Sequence, residues 1–119
     1  MKEQLIALLK TFNFPVRLQG SLTEEEIYPT AFFTFWNNET DDESFYDNNP
    51  IRCVWSFSVN FYSTNPELTN TILLEARDLL RKNGWIVMGK GYDVPSDEAS
   101  HTGRGMDVLY VENYQEVNT

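Results

Sequence analysis

An alternating pattern over Arg52 to Ser63 constrains the fold of this chain more than any other stretch. The segment reads RCVWSFSVNFYS, and Val54 is its only apolar residue on the otherwise polar parity. From Cys53 to Phe61 the opposite parity is apolar and consists of Cys53, Trp55, Phe57, Val59 and Phe61. Because successive strand side chains point to opposite faces, the pattern predicts a long strand whose aromatic face is buried. The rest of the chain has to pack around this strand.

The residues after this strand predict a helix and then another strand. Asn65 can cap a helix, and Pro66 suits the first helical position. The helix is expected to end at Asn83-Gly84, since glycine readily takes the left-handed conformation that follows a helix. At helical periodicity its apolar positions form one broad face: Leu68, Ile72, Leu73, Ala76, Leu79 and Leu80. Trp85 to Met88 then reads as a strand.

The remaining segments alternate between apolar runs and polar stretches. An amphipathic first helix is expected over Met1 to Asn13. Further strands are expected over Pro15 to Leu22, Thr30 to Trp36 and Gly105 to Tyr114. Composition predicts two long loops, over Asn37 to Pro50 and over Gly89 to Arg104. It also predicts a polar turn or one turn of helix over Thr23 to Glu26, and a loose tail over Gln115 to Thr119. Since Thr30 to Trp36 is apolar on both parities, it suits a strand covered on both sides or one exposing aromatics to a partner.

This order of elements predicts an α+β fold. We expect a mostly antiparallel sheet of about four to five strands with two α-helices packed on one face. The length of 119 residues fits a single domain over residues 1–119. The strand–helix–strand block leaves room for a crossover that would make one pair parallel. The order of the strands in the sheet does not follow from the pattern.

A net charge of −9 restricts the possible partners. Sequence-independent nucleic-acid binding needs a Lys/Arg surface, and docking on an anionic membrane needs the same, so neither is expected. Cys53 is the only cysteine, which excludes an intrachain disulfide and fits a reducing compartment. The N-terminal apolar run is short and interrupted by Lys2, Glu3 and Lys10. It therefore predicts neither a signal peptide nor a membrane span.

No set of residues predicts a catalytic, cofactor or metal site, so we expect a protein that is not an enzyme. Cys53 lies on the apolar parity and suits a buried core position, while His101 lies in a polar loop and is expected to be solvated. Acidic loop residues lack the spacing and the glycine of a calcium loop: Asp41, Asp42, Glu43, Asp47, Asp93, Asp97 and Glu98. A glycosidase-like carboxylate pair stays an open alternative. The glycines fit turns and not a phosphate-binding loop: Gly84, Gly89, Gly91, Gly103 and Gly105.

Apolar residues outside the expected core predict a contact surface. The candidates are Leu74, Arg77 and Arg81 on the outer side of the second helix, Phe45 and Tyr46 in the acidic loop, and Tyr92 and Val94 in the Gly-rich loop. The polar face of the long strand is a further place for a neighbour: Arg52, Ser56, Ser58, Asn60 and Tyr62. These positions are inferred from the residues alone.

The chain as a whole resembles tail terminator, or tail completion, proteins of long-tailed phages and prophages of Gram-positive bacteria. The resemblance rests on an aromatic strand ending in FYS-TNP, a Leu-rich helix, NGW-IVMGKG, the loop YDVPSDEASHTG and the closing strand GMDVLYVE. PVRLQGSL and EEEIYPTAFFTFW upstream belong to the same pattern. Its most specific part runs from Gly89 to Gly105. The pattern is one of segments and contains no catalytic signature.

The resemblance implies an α+β subunit that assembles into a hexameric ring, although such subunits can be monomeric until the tube offers a template. The ring would cap the major tail tube protein, stop its polymerisation and present a surface to the head–tail connector protein. It would be located in the virion tail, and in the host cytoplasm during assembly. Genomic DNA would pass through its lumen, and an acidic lumen would repel phosphates.

Two other functions fit the sequence. One is another head–tail joining or minor tail protein of the same particle, which the sequence does not separate from a terminator. The other is an acidic inhibitor that mimics the charge of DNA. Such a mimic needs carboxylates on a rigid surface, whereas many of the acidic residues here fall in the predicted loop from Asn37 to Pro50.

Overall fold

The chain folds as an α+β domain built on one six-stranded, mostly antiparallel sheet. The computed structural model describes residues 1–18, 29–46, 49–96 and 99–113. The elements are α1 (Lys2–Lys10), β1 (Val16–Leu18), β2 (Ala31–Tyr46), β3 (Asn49–Ser63), α2 (Pro66–Lys82), β4 (Ile86–Val87), β5 (Tyr92–Val94) and β6 (Thr102–Asn113). The predicted fold class is confirmed, with a sheet slightly larger than expected. That both helices pack on one face stays a prediction.

The long alternating strand lies at the centre of the sheet. The strand order is β1-β2-β3-β6-β4, with β5 paired to β6 beside β4. β3 pairs antiparallel with β2 on one side and with β6 on the other. The single parallel pair among the described strands is β1 with β2. β3 and β4 are both antiparallel to β6, which lies between them, so the strand–helix–strand block does not form an adjacent parallel pair.

Two segments expected to be loops contain strands. The ladder between β2 and β3 continues from Ala31↔Ser63 to Tyr46↔Asn49, so the prediction of a loop from Asn37 to Pro50 is wrong. Within the other predicted loop, β5 pairs with the start of β6. The polar composition of these segments does not prevent pairing, because the backbone groups bond to those of another strand. The predicted turn at Thr23 to Glu26 and the predicted tail at Gln115 to Thr119 lie outside the described residues.

The hydrophobic core contains residues of both helices and of the sheet strands. It contains Leu5 and Leu9 of α1 together with Leu73, Ala76 and Leu80 of α2. The strands contribute Phe33, Phe35, Phe57, Val59, Phe61, Val87, Met106 and Val108. Aromatic rings connect these layers, because Phe61 lies 4.7 Å from Phe33 and 5.2 Å from Phe14 between ring centroids. The apolar parity of β3 is therefore buried as predicted, with Cys53 2% exposed and Trp55 half-buried.

The alternate residues of the same strands form a second face of the sheet. Trp36 of β2 is opposite Ser58 of β3, which is opposite Asp107 of β6. In the next row Asn60 is opposite Gly105, which is opposite Tyr92 of β5. Side chains directly opposite each other share a face, so these residues lie away from the core residues Val59 and Met106. We call this surface the second face, defined by Trp36, Ser58, Asn60, Tyr92 and Asp107.

Candidate contact surface

Large exposed hydrophobic side chains gather on the second face. Trp36 is 51% exposed, Tyr92 is 42% exposed and Ile86 is 48% exposed. Ile86 belongs to this face because it is opposite Leu109, which is opposite Ser56 of β3. Met88, which directly follows β4, is 66% exposed. Aromatic, methionine and aliphatic groups clustered on an exposed sheet face are typical of a protein contact surface.

A polar network crosses this surface between the exposed rings. The Tyr92 hydroxyl donates to Oδ1 of Asp107 at 2.9 Å, and Ser58 Oγ donates to the same oxygen at 3.1 Å. Asn38 Nδ2 in turn donates to Ser58 Oγ at 2.9 Å. Asn38 lies at the point where the β2–β3 register shifts, and such a bulge re-aims a side chain. The network fixes the position of the Asp107 carboxylate between Tyr92 and Ser58.

Asn38, Ser58 and Tyr92 of this network line a groove of about 380 Å³. Its walls are formed by Trp36, Asn38, Ser58, Asn60, Tyr92 and Val94. Burial is the main cause that raises the pKa of the Tyr92 phenol, and the hydrogen bond to Asp107 and its negative charge raise it further. The hydrogen bond with Ser58 acts in the opposite direction. Tyr92 therefore stays protonated at neutral pH and remains a donor to Asp107.

Two glycines of β6 make this packing possible. A Cβ on Gly103 would lie 2.7 Å from the Tyr62 ring and 2.8 Å from Val94, and a Cβ on Gly105 would collide with Oδ1 of Asn60. The prediction that all five glycines serve turns is therefore wrong for these two, which lie inside a strand. It is confirmed for the others, since positive φ angles occur at Gly84, Gly89 and Gly91.

The predicted contact residues of the Gly-rich segment and of α2 lie in different places. Tyr92 and Val94 line the groove on the second face. Leu74 is half-buried, so the expectation that it is exposed is wrong. The Arg77 side chain is engaged within the chain, because its Nε donates to the carbonyl oxygen of Gly89 at 2.7 Å. Arg81 is exposed in the last turn of α2.

Phe45 and Tyr46 lie far from the groove. They are at the end of β2, where Phe45 is opposite Pro50, and not in a loop as predicted. Tyr92 is aligned through Gly105 with Asn60. The ten residues between Pro50 and Asn60 on β3 correspond to about 33 Å of strand. The structure therefore does not bring the predicted contact residues together into one patch.

Cys53 and His101 are also far apart. Cys53 is opposite Glu112, whereas His101 directly precedes Thr102, which is opposite Ser63 at the other end of β3. Ten strand residues again separate the two positions by about 33 Å, which is too far for a thiol–imidazole pair. His101 is half-buried, with Nε2 2.7 Å from the carbonyl oxygen of Pro29, so the expectation of a solvated imidazole is wrong.

The acidic residues offer no assembled cation site in the described part of the chain. Asp41, Asp42 and Glu43 lie on β2, and Asp93 on β5 forms an ion pair with Arg104 at 2.9 Å. Asp47, Asp97 and Glu98 lie outside the described residues. The described residues contain no group of three or more His, Cys, Asp or Glu side chains placed to hold a metal ion. No helix among them is long and apolar enough to cross a membrane.

A second groove of about 590 Å³ lies beside the start of α2. Thr69, His101 and Arg104 are among its lining residues. The Arg104 guanidinium is already neutralised by Asp93 and also donates to the carbonyl oxygen of Lys90 at 3.1 Å. The ion pair joins β5 to β6, and the Arg104 guanidinium is bound within its own chain.

Sequence reasoning found part of the contact surface and missed its centre. The sequence predicts Tyr92 and Val94 as contact residues. It also predicts that Ser58 and Asn60 lie on the polar face of the long strand. Trp36 and Asp107 were missed as members of one site, because only the pairing of β2, β3 and β6 places them in one row. The apolar run from Thr30 to Trp36 on both parities was the available signal.

A scan against family models finds no matching family, and a search of curated proteins finds no match.

Proposed function

We propose that this chain is a structural subunit of a phage tail, a tail terminator that caps the tail tube and joins it to the head connector. The observation that carries the proposal is the two-sided sheet. The core contains buried leucines of both helices, and the second face exposes Trp36, Ile86 and Tyr92. The segment pattern that resembles tail terminators supplies the specific role.

A subunit with a finished core and a second apolar face is suited to assembly. Exposed apolar surface rimmed by polar groups favours contact with another protein over solvent. A ring needs heterologous contacts, in which one patch meets a different patch of the next copy. The second face and the α2 side of the sheet are two such different surfaces. Within a ring, each subunit could use both of them at once.

The β2–β3 hairpin supports a role in docking. Its ladder continues from Ala31↔Ser63 to Tyr46↔Asn49, so β2 and β3 are paired along the whole described hairpin. A paired hairpin is a more rigid docking element than the loop expected from the sequence. We propose that it contacts the tail tube or the connector. The acidic residues Glu39 to Glu43 on this hairpin suit a lumen through which DNA slides without binding.

Deletion of the gene from its phage tests the proposal. Without a terminator, tube polymerisation would continue, so electron microscopy should show tubes of indefinite length and few complete particles. Adding back the wild-type chain should restore tails of uniform length. Normal-length tails in the deletion strain would overturn the proposal. Normal-length tails that fail to join heads would instead indicate another head–tail joining or minor tail protein.

One observation favours a second function, an acidic inhibitor that mimics DNA. The residues Glu39 to Glu43 lie on a paired strand, so the objection that these carboxylates fall in a loop no longer holds. Purified protein would then protect DNA from a nuclease or displace DNA from a DNA-binding protein. The two functions are separated by the deletion phage, because loss of a DNA mimic leaves tail length unchanged.

A further inference from the structure

We propose that the groove on the second face of one subunit receives the basic end of α2 from the next subunit in the ring. The basic end consists of Arg81 and Lys82, in the last turn of α2. The groove side consists of Trp36 and Tyr92 in the groove wall and of Asp107, which accepts a hydrogen bond from Tyr92 beside the groove. This inference rests on the proposed function, since it names the contact that would close the ring.

The groove has the chemistry that recognises a guanidinium or ammonium group. Trp36 and Tyr92 present exposed rings, whose faces attract cations. Ser58 and Tyr92 both donate to Oδ1 of Asp107. Oδ2 of this carboxylate accepts from no described residue and is available to a further donor. Asp107 lies two strands from Trp36 in the same row, about 10 Å away. One long basic side chain can therefore contact a ring and the carboxylate together.

The end of α2 has the complementary charge. Arg81 and Lys82 are exposed, and neither forms an ion pair with another described residue. No Asp or Glu occurs between Asp78 and Asp93. Arg77 and Arg104, by contrast, are committed to partners within the chain. In a chain of net charge −9, this is a basic surface of a second copy that the Asp107 carboxylate beside the groove would attract.

The geometry of the chain requires that this contact form between copies. The buried side of α2 packs into the core through Leu73, Ala76 and Leu80, together with the core face of the strands. The groove lies on the opposite face, so the sheet separates it from the α2 of its own chain. A contact between two different surfaces of a subunit is head-to-tail, and head-to-tail contacts generate rings when the rotation between copies closes.

Disulfide trapping tests the contact. One chain carries Asn38→Cys in the groove wall and the other Asn83→Cys directly after α2, both in a Cys53→Ala background. The matched control replaces Asn83→Cys with Asn70→Cys, an exposed Asn on the same helix about 20 Å away. Under mild oxidation on tail tubes, cross-linking should be at least about tenfold faster for position 83 than for position 70, since disulfides need close Cα atoms. Equal rates would overturn the inference.

Charge exchange gives an independent measurement on the same cross-link. Asp107→Lys alone, and Arg81→Glu with Lys82→Glu alone, should each slow cross-linking by about tenfold. Combining the two changes across the contact should restore the rate, and failure to restore it would contradict the pairing. Capped tubes or rings seen by microscopy without preferential cross-linking would overturn this contact and leave the proposed function intact. Uncapped tubes without cross-linking would overturn both.

Discussion

The titration of the Tyr92 phenol reports on its hydrogen bond to Asp107 beside the groove. Because burial and the Asp107 carboxylate raise its pKa above 10.0, the folded state holds this proton more tightly than the unfolded chain. The resulting stabilisation is present below about pH 10 and is lost as pH rises through the raised pKa. We expect the absorbance change of phenolate formation at Tyr92 to occur at higher pH than that of a free tyrosine.

The Tyr92 signal is isolated by subtracting the alkaline titration of Tyr92→Phe from that of the wild type. Asp107→Asn keeps an acceptor but removes the negative charge, so it should lower the pKa of Tyr92 toward its ordinary value. A titration of Tyr92 at or below the ordinary value in the wild type would contradict the hydrogen bond to Asp107.

Gly105 gives a second prediction at this scale. A Cβ at this position would collide with Oδ1 of Asn60 and lie 3.1 Å from the Tyr92 ring. Gly105→Ala should therefore lower the free energy of unfolding by about 1–3 kcal/mol, measured by urea denaturation. Asn60→Ala removes the obstructing atom, so the double variant should lose less stability than the sum of the two single variants. Additive losses would show that the close approach is not the cause.

At the scale of elements, the start of α2 is tied to two strands by hydroxyl groups. Thr69 Oγ1 donates to the carbonyl oxygen of Asn65 at 3.1 Å and lies 2.6 Å from Ser63 Oγ of β3. It also lies 2.9 Å from Thr102 Oγ1 of β6. Thr69 and Ser63 are each 1% exposed, so the contact between their hydroxyl groups has little access to water. This chain of hydroxyls fixes the height of the helix over the sheet.

Thr69→Val preserves the shape of the side chain and removes its hydroxyl. Since the buried hydroxyl of Ser63 then loses a hydrogen-bond partner, the free energy of unfolding should fall by about 1–3 kcal/mol. Thr71→Val makes the same chemical change on the exposed side of the same helix and should alter stability by less than about 0.5 kcal/mol. Chemical denaturation of the two variants side by side measures the difference, and equal effects would contradict the proposed tie.

The elements that the sequence predicted well are those whose signals are local. β3 alternates with a period of two, and α2 begins at a capping Asn65 whose Oδ1 accepts from the Glu67 backbone N–H at 3.0 Å. The end of the β2–β3 hairpin does not follow from the sequence, because the polar residues from Asn37 to Pro50 predict a loop. A ladder needs only backbone donors and acceptors, so polar side chains do not prevent it. β5 was missed because its partner β6 is distant in sequence.

The candidate site was harder to predict than the fold for a similar reason. Tyr92 could be recognised as an aromatic residue in a polar segment, but Trp36, Ser58 and Asp107 belong to three separate segments. Only the register between β2, β3 and β6 places them in one row. Gly103 and Gly105 likewise read as turn residues until their strand neighbours are known. Contacts between strands, rather than residue types, define the site.

For the whole molecule, assembly through the second face should be separable from folding. Ile86→Ser changes a side chain that is 48% exposed on this face, and Leu18→Ser changes one that is 45% exposed on β1. Both should alter the free energy of unfolding by similar, small amounts, since neither belongs to the core. Only Ile86→Ser should reduce complementation of the deletion phage. Equal complementation by both variants would contradict a role for the second face in assembly.

The charge of the whole molecule also predicts how self-association depends on salt. In a contact between two copies, we take the distance between centres as 28 Å, the intermediate dimension of the molecule. At this distance two net charges of −9 repel each other by on the order of 10 kcal/mol in water without salt. A single exposed ion pair at about 4 Å contributes about 1 kcal/mol. At physiological ionic strength the Debye length is about 8 Å, which removes most of the long-range repulsion and only part of the short contact.

Cross-linking between Asn38→Cys and Asn83→Cys chains should therefore become faster as salt is raised from low to physiological concentration. Asp107→Asn removes one attractive charge without changing most of the repulsion, so it should lower the rate at every salt concentration while keeping the same upward trend. Rates followed across a salt series at constant pH measure both effects. A rate that falls steadily from the lowest salt would mean that the local pairing between Asp107 and the basic end of α2 outweighs the repulsion between whole subunits.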